Sequence, residues 1–367
     1  MHGRPLLASF SSDALRHNAC LAKSLVAPGG RMLGVIKADA YGHGLIESAT
    51  ALRGLADGFA VLELTAARRL REQGFNEPIL MLEGFYDPAE LAEFSRLGLS
   101  TVIHCLDQIE ALANTVLVTP ISVFLKLNTG MNRLGIALAD ARAAYKRLCA
   151  LPQVAEVTVM THFADADHPR GTSWQLQRLL EAWPEVMDYR TSFANSAALL
   201  TGPAERSALG DIARPGIMLY GASPWGSFVA GKSANALGLK PVMTLRSQLI
   251  AIQEIQPGER VGYGGTFTAE RPMRIGIAAC GYADGYPRHA TNQTPILVDG
   301  QRTTLTGRVS MDRLCCDVSD IPSACVGSTV TLWGEGLPAD DVADSAGTIS
   351  YELFCALSPR VTRVWHE

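Results

Sequence analysis

The sequence predicts an α/β protein: a (β/α)8 TIM-type barrel followed by a mainly antiparallel β domain. Three observations predict it. Apolar runs of strand length recur at residues 31 to 36, 58 to 62, 78 to 82, 100 to 103, 121 to 127, 154 to 160, 189 to 194 and 212 to 219. Segments of helical pattern separate most of these runs, and strands that alternate with crossovers require a parallel sheet. Around residue 221 the rhythm stops, and strand-like runs punctuated by turn signals take over.

In chain order, residues 4 to 10 form a first strand. "SSDALRHNACLAKSLVA" follows, where Ser12 can cap a helix whose Leu15, Ala19, Ala22 and Leu25 recur at helical spacing. "LTAARRLREQG" ends on a glycine stop, and "SWQLQRLLEAW" is a second clear crossover helix. The barrel is expected over residues 8 to 232, ending in the glycine-, serine- and alanine-rich linker "GASPWGSFVAGKSANALG". The C-terminal β domain is expected over residues 233 to 367, with residues 1 to 7 pairing as its extra strand. Its strands are carried by "VMTLRSQLIAI", "RIGIAAC", "PILVDGQRTTLTG" and "STVTLWG", and "VDGQ" has the Asp-Gly pair of a tight hairpin. Short helices are expected at "DDVADSAG" and "SYELFCAL".

Length and composition agree with this division. A chain of 367 residues exceeds what one core usually organises, and 47% hydrophobic residues supply two. A net charge of -4, spread without blocks, gives no footprint for nucleic acid or an anionic membrane, so the expected partner is a small molecule or another copy of the chain. The eight cysteines show no C-x-x-C spacing and read as reduced thiols of a cytoplasmic protein. "MHGRPLLASFSS" lacks a signal-peptide core, and no apolar stretch is long enough to span a bilayer.

In a (β/α)8 barrel the active site lies at the C-terminal ends of the strands. Residues just past each apolar run should therefore share one mouth. Lys37, in "VIKADAYGHG", follows the first run; Lys126 and "LNTGMNRLG" follow the fifth; His162 follows the sixth. Asn195 and Ser196 follow the seventh, and Arg214 with Gly216 falls in the eighth. A lysine among apolar walls has a depressed pKa and can form a Schiff base with an aldehyde such as pyridoxal phosphate. "RPGI" and "NSAA" offer backbone N–H groups and a hydroxyl for a phosphate. Taken alone, Ser196 also reads as a plain helix cap, His162 as a satisfied core histidine and Lys37 as a solvated strand end. Arg214 in a strand must meet an acceptor, because it cannot shed its proton.

"VIKADAYGHG", "LKLNTGMNRLG", "THFADADHP", "ANSAA", "RPGIMLYGASP", "GERVGYGGTF", "GYADGYPRH", "GRVSMD" and "YELFCAL" together resemble the alanine racemases, especially the subgroup often used to catabolise alanine. The motifs run in family order from residue 35 to residue 357. The resemblance implies pyridoxal 5'-phosphate held as an aldimine on Lys37. It implies that Lys37, once the substrate amine displaces it, and Tyr263 act as opposing bases on the two faces of alanine, since one base returning a proton to the same face regenerates the same enantiomer. It implies that Arg133 lies near the tyrosine and the substrate carboxylate, and that Arg214 faces the pyridine nitrogen. His162 would lie on or beside the ring and orient Arg214. Asn195 falls in the cofactor site, and Tyr41, Ser196, the backbone of Gly216 and Ile217, and Tyr351 bind the phosphate. Lys126 matches a lysine that becomes a carbamate in many relatives, giving Arg133 a negative partner.

Met311 and Tyr282 resemble residues that a partner subunit contributes to the substrate site and channel, and Asp167, Arg288 and Arg308 fall at entrance positions. Those three also read as exposed loop charges. A head-to-tail homodimer with shared active sites is implied, with Tyr263 and Met311 reaching the other chain's barrel. Three rival readings compete. A decarboxylase of the same fold type would need a late cysteine, for which Cys355 is a stand-in on an apolar helix face. A non-enzymatic pyridoxal-phosphate carrier would lack the second domain. An interaction module without cofactor would leave Lys37 idle.

Overall fold

Eight runs of buried aliphatic residues become eight parallel strands in the computed structural model, which describes residues 3–201, 209–227 and 229–367. After β1 (Leu6–Ser11) come β2 (Arg31–Val35), β3 (Gly58–Val61), β4 (Ile79–Met81), β5 (Leu99–Ile103), β6 (Ile121–Lys126), β7 (Val154–Met160), β8 (Thr191–Ser192) and β9 (Ile212–Ala213). Their order β8-β7-β6-β5-β4-β3-β2-β9 steps once around a barrel. The seam between β8 and β9 is drawn together by Asp211 N–H donating to Thr191 O at 2.9 Å and Arg214 N–H donating to Ala194 O at 2.9 Å. Strands β3 and β4 are buried along their whole length, as parallel strands covered on both faces must be.

The last two barrel strands are shorter than the apolar runs at 189 to 194 and 212 to 219. Asn195 opens a helical turn at Ser196–Leu199. Pro215 brings no N–H to a ladder, and a 3-10 turn begins at Ile217. The first helix, Ser12–Leu25, corrects the expected cap: Ser11 Oγ accepts from Ala14 N–H at 3.1 Å, so Ser12 is already inside the helix.

Contacts divide the chain into a barrel unit, Ala19–Ala40 with Gly44–Leu219, and a β unit of residues 1–18, 41–43 and 220–367. β1, which straddles the expected boundary at residue 8, is a strand of the β unit. It runs antiparallel to β10 (Met243–Ile255), Leu6 opposite Ser247, and parallel to β18 (Thr362–His366), Leu7 opposite Thr362. Met1 and His2 of the expected extra strand lie outside the described residues, as does Phe228 of the linker.

The remaining strands are β11 (Arg260–Val261), β12 (Phe267–Thr268), β13 (Met273–Ala278), β14 (Pro295–Val298), β15 (Gln301–Thr304), β16 (Leu314–Asp317) and β17 (Thr329–Trp333). The hairpin β14–β15 turns on Asp299 and Gly300, both at positive φ (47° and 79°), the geometry a two-residue turn demands. Helices Ala339–Ser345 and Ser350–Cys355 fall where the turn-rich segments placed them.

Candidate active site

Lys37, Lys126, His162, Asn195, Ser196 and Arg214 all sit at or just past the C-terminal ends of their strands. Lys37 stands two residues beyond β2 and is half-buried, while Lys126 is the last residue of β6 and is buried. His162 follows β7 by two residues, Asn195 and Ser196 follow β8, and Arg214 follows β9 directly. The chain leaves Lys37 in an unusual way. Ala38, Asp39, Ala40 and Tyr41 all have φ near +53°, forming one left-handed helical turn. Such a conformation costs an L-residue roughly 1–2 kcal/mol. Ala40 N–H donates to Ile36 O at 3.0 Å, and Asp39 Oδ1 accepts from Leu45 N–H at 2.9 Å, which helps to offset that cost.

The mouth is strongly cationic. Among the described residues, Lys37, Lys126, Arg133 and Arg214 form no ion pair with a carboxylate. Burial, and then the charges of Arg214, Arg133 and Lys37, push Lys126 down to about 8. Burial and the same surroundings, Arg214 foremost and Lys126 included, push His162 down to about 3, so its imidazole is neutral at physiological pH. Burial lowers Arg214 to about 10, which leaves it charged at neutral pH.

Arg214 is satisfied by neutral oxygens. Its Nη atoms donate to Ser192 O at 2.7 Å, Thr161 O at 2.8 Å, Phe193 O at 3.5 Å and the Ser192 hydroxyl. Three backbone carbonyls and one hydroxyl therefore hold its guanidinium. Beside it, the helix-cap reading belongs to Asn195 instead of Ser196. Asn195 Oδ1 accepts from Ala198 N–H at 3.0 Å. Ser196 Oγ accepts from Gly216 N–H at 2.9 Å and Met218 N–H at 3.4 Å, and Ile217, between these two amides, is buried. A hydroxyl fed by two amides can turn its own O–H outward. An unpaired cationic mouth, a donor-rich turn and a neutral imidazole fit a dianionic phosphate ester with an aromatic ring.

In the β unit, Tyr41 is buried against Tyr220 with ring centroids 4.8 Å apart and lies 6.0 Å from Tyr351. Burial raises the Tyr41 phenol well above its ordinary value, which makes it a hydrogen-bond donor. Tyr263 stands on a turn between β11 and β12, flanked by Gly262 and Gly264 at φ +70° and +72°, and is 73% exposed. Arg308 lies under this turn, its Nη1 about 3.7 Å from where a side chain on Gly264 would begin. Arg288 and Arg308 line one cavity of 370 Å³ with His289 and Asn292. Tyr282 and Met311 adjoin, because Tyr282 N–H donates to Ser310 O and Ala283 N–H to Met311 O, both at 3.0 Å. Met311 is 54% and Tyr282 38% exposed.

Asp167 is exposed on the loop after β7, apart from the buried cluster. Cys355 is exposed, which does not match an apolar helix face. Residues the sequence did not single out also belong to the mouth. Thr161 and Ser192 hold Arg214, and His104 lies in reach of the Lys126 charge, its imidazole lowered by burial and then by that charge. Polar residues at the ends of β5, β7 and β8 were the signal for them.

Two family models cover the chain: "Alanine racemase, N-terminal domain" over residues 10–224 and "Alanine racemase, C-terminal domain" over residues 242–365. The alanine racemase of Cupriavidus necator is 50% identical over 364 residues, covering 98% of this chain and 95% of its own. That of Polaromonas sp. is 49% identical, covering 98% of both chains. Among solved structures, the biosynthetic alanine racemase of Pseudomonas aeruginosa superposes with a TM-score of 0.93 at 48% identity, covering 100% of both chains. The enzyme of Acinetobacter baumannii gives 0.91 at 37% identity, covering 99% of this chain and 100% of that one.

Proposed function

Because the chain belongs to the alanine racemase family and is an isomerase, we propose that it interconverts L- and D-alanine with two bases, the Lys37 amine and the Tyr263 phenol of the partner subunit. The observation that carries this reading is the gathering of Lys37, Lys126, Arg133, His162 and Arg214 at one barrel mouth, where no carboxylate pairs with the cations among the described residues. Pyridoxal 5'-phosphate, when bound, would supply the electron sink that acidifies the α-proton. Lys37 would hold it covalently. Ser196 with the backbone of Gly216 and Ile217 would bind the phosphate, joined by the Tyr41 and Tyr351 hydroxyls, with Asn195 shaping that turn. Arg214 would face the ring nitrogen and His162 the ring.

Arg214 keeps its proton at neutral pH, so a ring nitrogen facing it would stay unprotonated. Arg133 would grip the substrate carboxylate, and carbamylated Lys126 would balance its charge. Lys37, its amine freed when the amine of the substrate takes its place, and Tyr263 of the partner subunit would then exchange protons at the α-carbon from opposite sides. Tyr282 and Met311 of a second copy would narrow the channel toward a methyl side chain, with Asp167, Arg288 and Arg308 at its entrance. The exposure of Tyr263, Met311 and Tyr282 on a single chain leaves all three available to a second copy, which supports a head-to-tail homodimer.

Enantiomers have equal free energy in water, so one site can supply D-alanine for peptidoglycan or feed alanine breakdown. No helix among the described residues is long and apolar enough to cross a membrane, and the eight cysteines are free. Both support a cytoplasmic setting.

The test is L-alanine in heavy water. Inverted alanine carrying deuterium at the α-carbon is expected, and Tyr263→Phe should lower the inversion rate by about 10²–10⁴. Release of carbon dioxide would mark a decarboxylase, and bound cofactor without exchange a carrier.

A further inference from the structure

The helix Ser173–Ala182 lies behind the barrel mouth, and its second and third residues both reach the loop that carries Arg133. Trp174 lies so close to Gly130 that a side chain there would begin 2.4 Å from the indole ring. Gln175 is fully buried. Its Nε2 donates to Thr129 Oγ1 at 2.7 Å and to His162 O at 3.1 Å, while its Oε1 accepts from Ala164 N–H at 2.7 Å. The Ala164 amide can only donate, so the carboxamide cannot be reversed without setting two donors face to face.

The direction of the next bonds follows. Thr161 Oγ1 donates to Leu127 O at 3.1 Å, so at its 2.8 Å contact with Thr129 it accepts from the Thr129 hydroxyl. A one-way chain therefore runs from Gln175 through Thr129 and Thr161 to the end of β6, and Thr161 O is also an acceptor for Arg214. Chains of this kind polarise and stiffen their members. In the same loop, Asn128 Oδ1 accepts from Gly130 N–H and Asn132 N–H, both at 3.1 Å, which fixes the backbone just before Arg133.

We propose that Gln175 is a positioning residue that clamps the Arg133 loop to the His162 loop, so that the group gripping the substrate carboxylate and the groups around the cofactor ring are held in one register. The proposal rests on the racemase reading for its kinetic consequence, but its structural consequence can be tested without it.

The experiment measures amide hydrogen exchange and steady-state kinetics on the full-length protein for Gln175→Met, Gln175→Glu and Thr129→Val. Gln175→Met fills the space without hydrogen bonds, and Gln175→Glu keeps the acceptor for Ala164 but loses both donors. Exchange in residues 128–135 and 162–165 should quicken by about 10-fold or more in both Gln175 variants, while the helix Leu64–Glu72 exchanges as before. KM for alanine should rise more than kcat falls. Adding Gln175→Met to Thr129→Val should cost less than the two separate losses combined, because both cut one chain. Unchanged exchange in the two loops, uniform quickening across the molecule, or strictly additive losses would each overturn the proposal. Should Gln175→Met fail to fold, Thr129→Val alone must still loosen both loops. A wild-type protein without racemase activity would sink the proposed activity, and the exchange result would still decide the clamp.

Discussion

Lys126 shows how the barrel mouth uses one residue's surroundings as chemistry. An ordinary lysine at pH 7 offers less than about a thousandth of its amine unprotonated, and only the neutral amine attacks carbon dioxide. At about 8, roughly a tenth is available. Carbamylation would replace a buried cation by an anion among Arg214, Arg133 and Lys37, which removes the repulsion that, after burial, lowered the amine. With labelled bicarbonate, a carbonyl resonance should appear that grows as pH rises from 7 toward 8.5 and is missing in Lys126→Met. The sign for the unmodified protein is also fixed. A folded value below the unfolded one means that the unfolded chain binds more protons between them, so carbon-dioxide-free protein should gain stability as pH rises from about 8 toward the ordinary lysine value.

Among the elements, the helices Ala339–Ser345 and Ser350–Cys355 are joined by Asp340. It accepts from the Ser350 hydroxyl and from Ser223 N–H at 3.0 Å. Burial raises this carboxyl to about 6; Ser350 and Ser223 pull it back, and Asp344 and Asp341 add to the rise. The folded state then binds the extra proton between about 4 and 6. Its contribution is complete below the unfolded value and is lost as pH rises through about 6, an effect of order 2–3 kcal/mol. Thermal unfolding of Asp340→Asn from pH 4 to 7 should show a flatter pH dependence than the parent, with stability at pH 7 retained or increased.

The elements also show what the sequence made legible. Strands β2 to β7 stood out because parallel strands buried on both faces are unbroken apolar runs, and the β14–β15 hairpin because Asp-Gly suits positive φ. The left-handed turn after Lys37 was hidden, since alanine and aspartate in "KADAY" carry no mark of that conformation. Gln175 was hidden too, although its position four residues before buried Leu179 puts a carboxamide on the apolar stripe of its helix. The choice of Asn195 over Ser196 as cap was settled by Gly216 and Met218 claiming the serine, a contact between the turns after β8 and β9 that no local pattern encodes.

For the whole molecule, the proposed division of labour between subunits has the sharpest consequence. If Lys37 acts in one chain's barrel and Tyr263 arrives from the other chain, neither single variant has an intact site as a homodimer. Lys37→Ala and Tyr263→Phe, each nearly inactive alone, should regain about a quarter of parental activity when equal amounts are mixed and allowed to exchange subunits. Random pairing makes half the dimers mixed, and each of those holds one complete site of two. Activity that stays near zero after demonstrated exchange would mean that each chain supplies its own tyrosine.

The turn from Ala38 to Tyr41 has a stereochemical corollary. Its φ values near +53° mirror those of an ordinary right-handed helix, so the backbone there has the handedness natural to residues of inverted configuration. A polypeptide assembled by chemical ligation with D-alanine at positions 38 and 40 would relax this segment without altering the side chains. By this geometry, the enantiomer that the enzyme is proposed to make is also the one its own lysine-bearing turn would accommodate more easily.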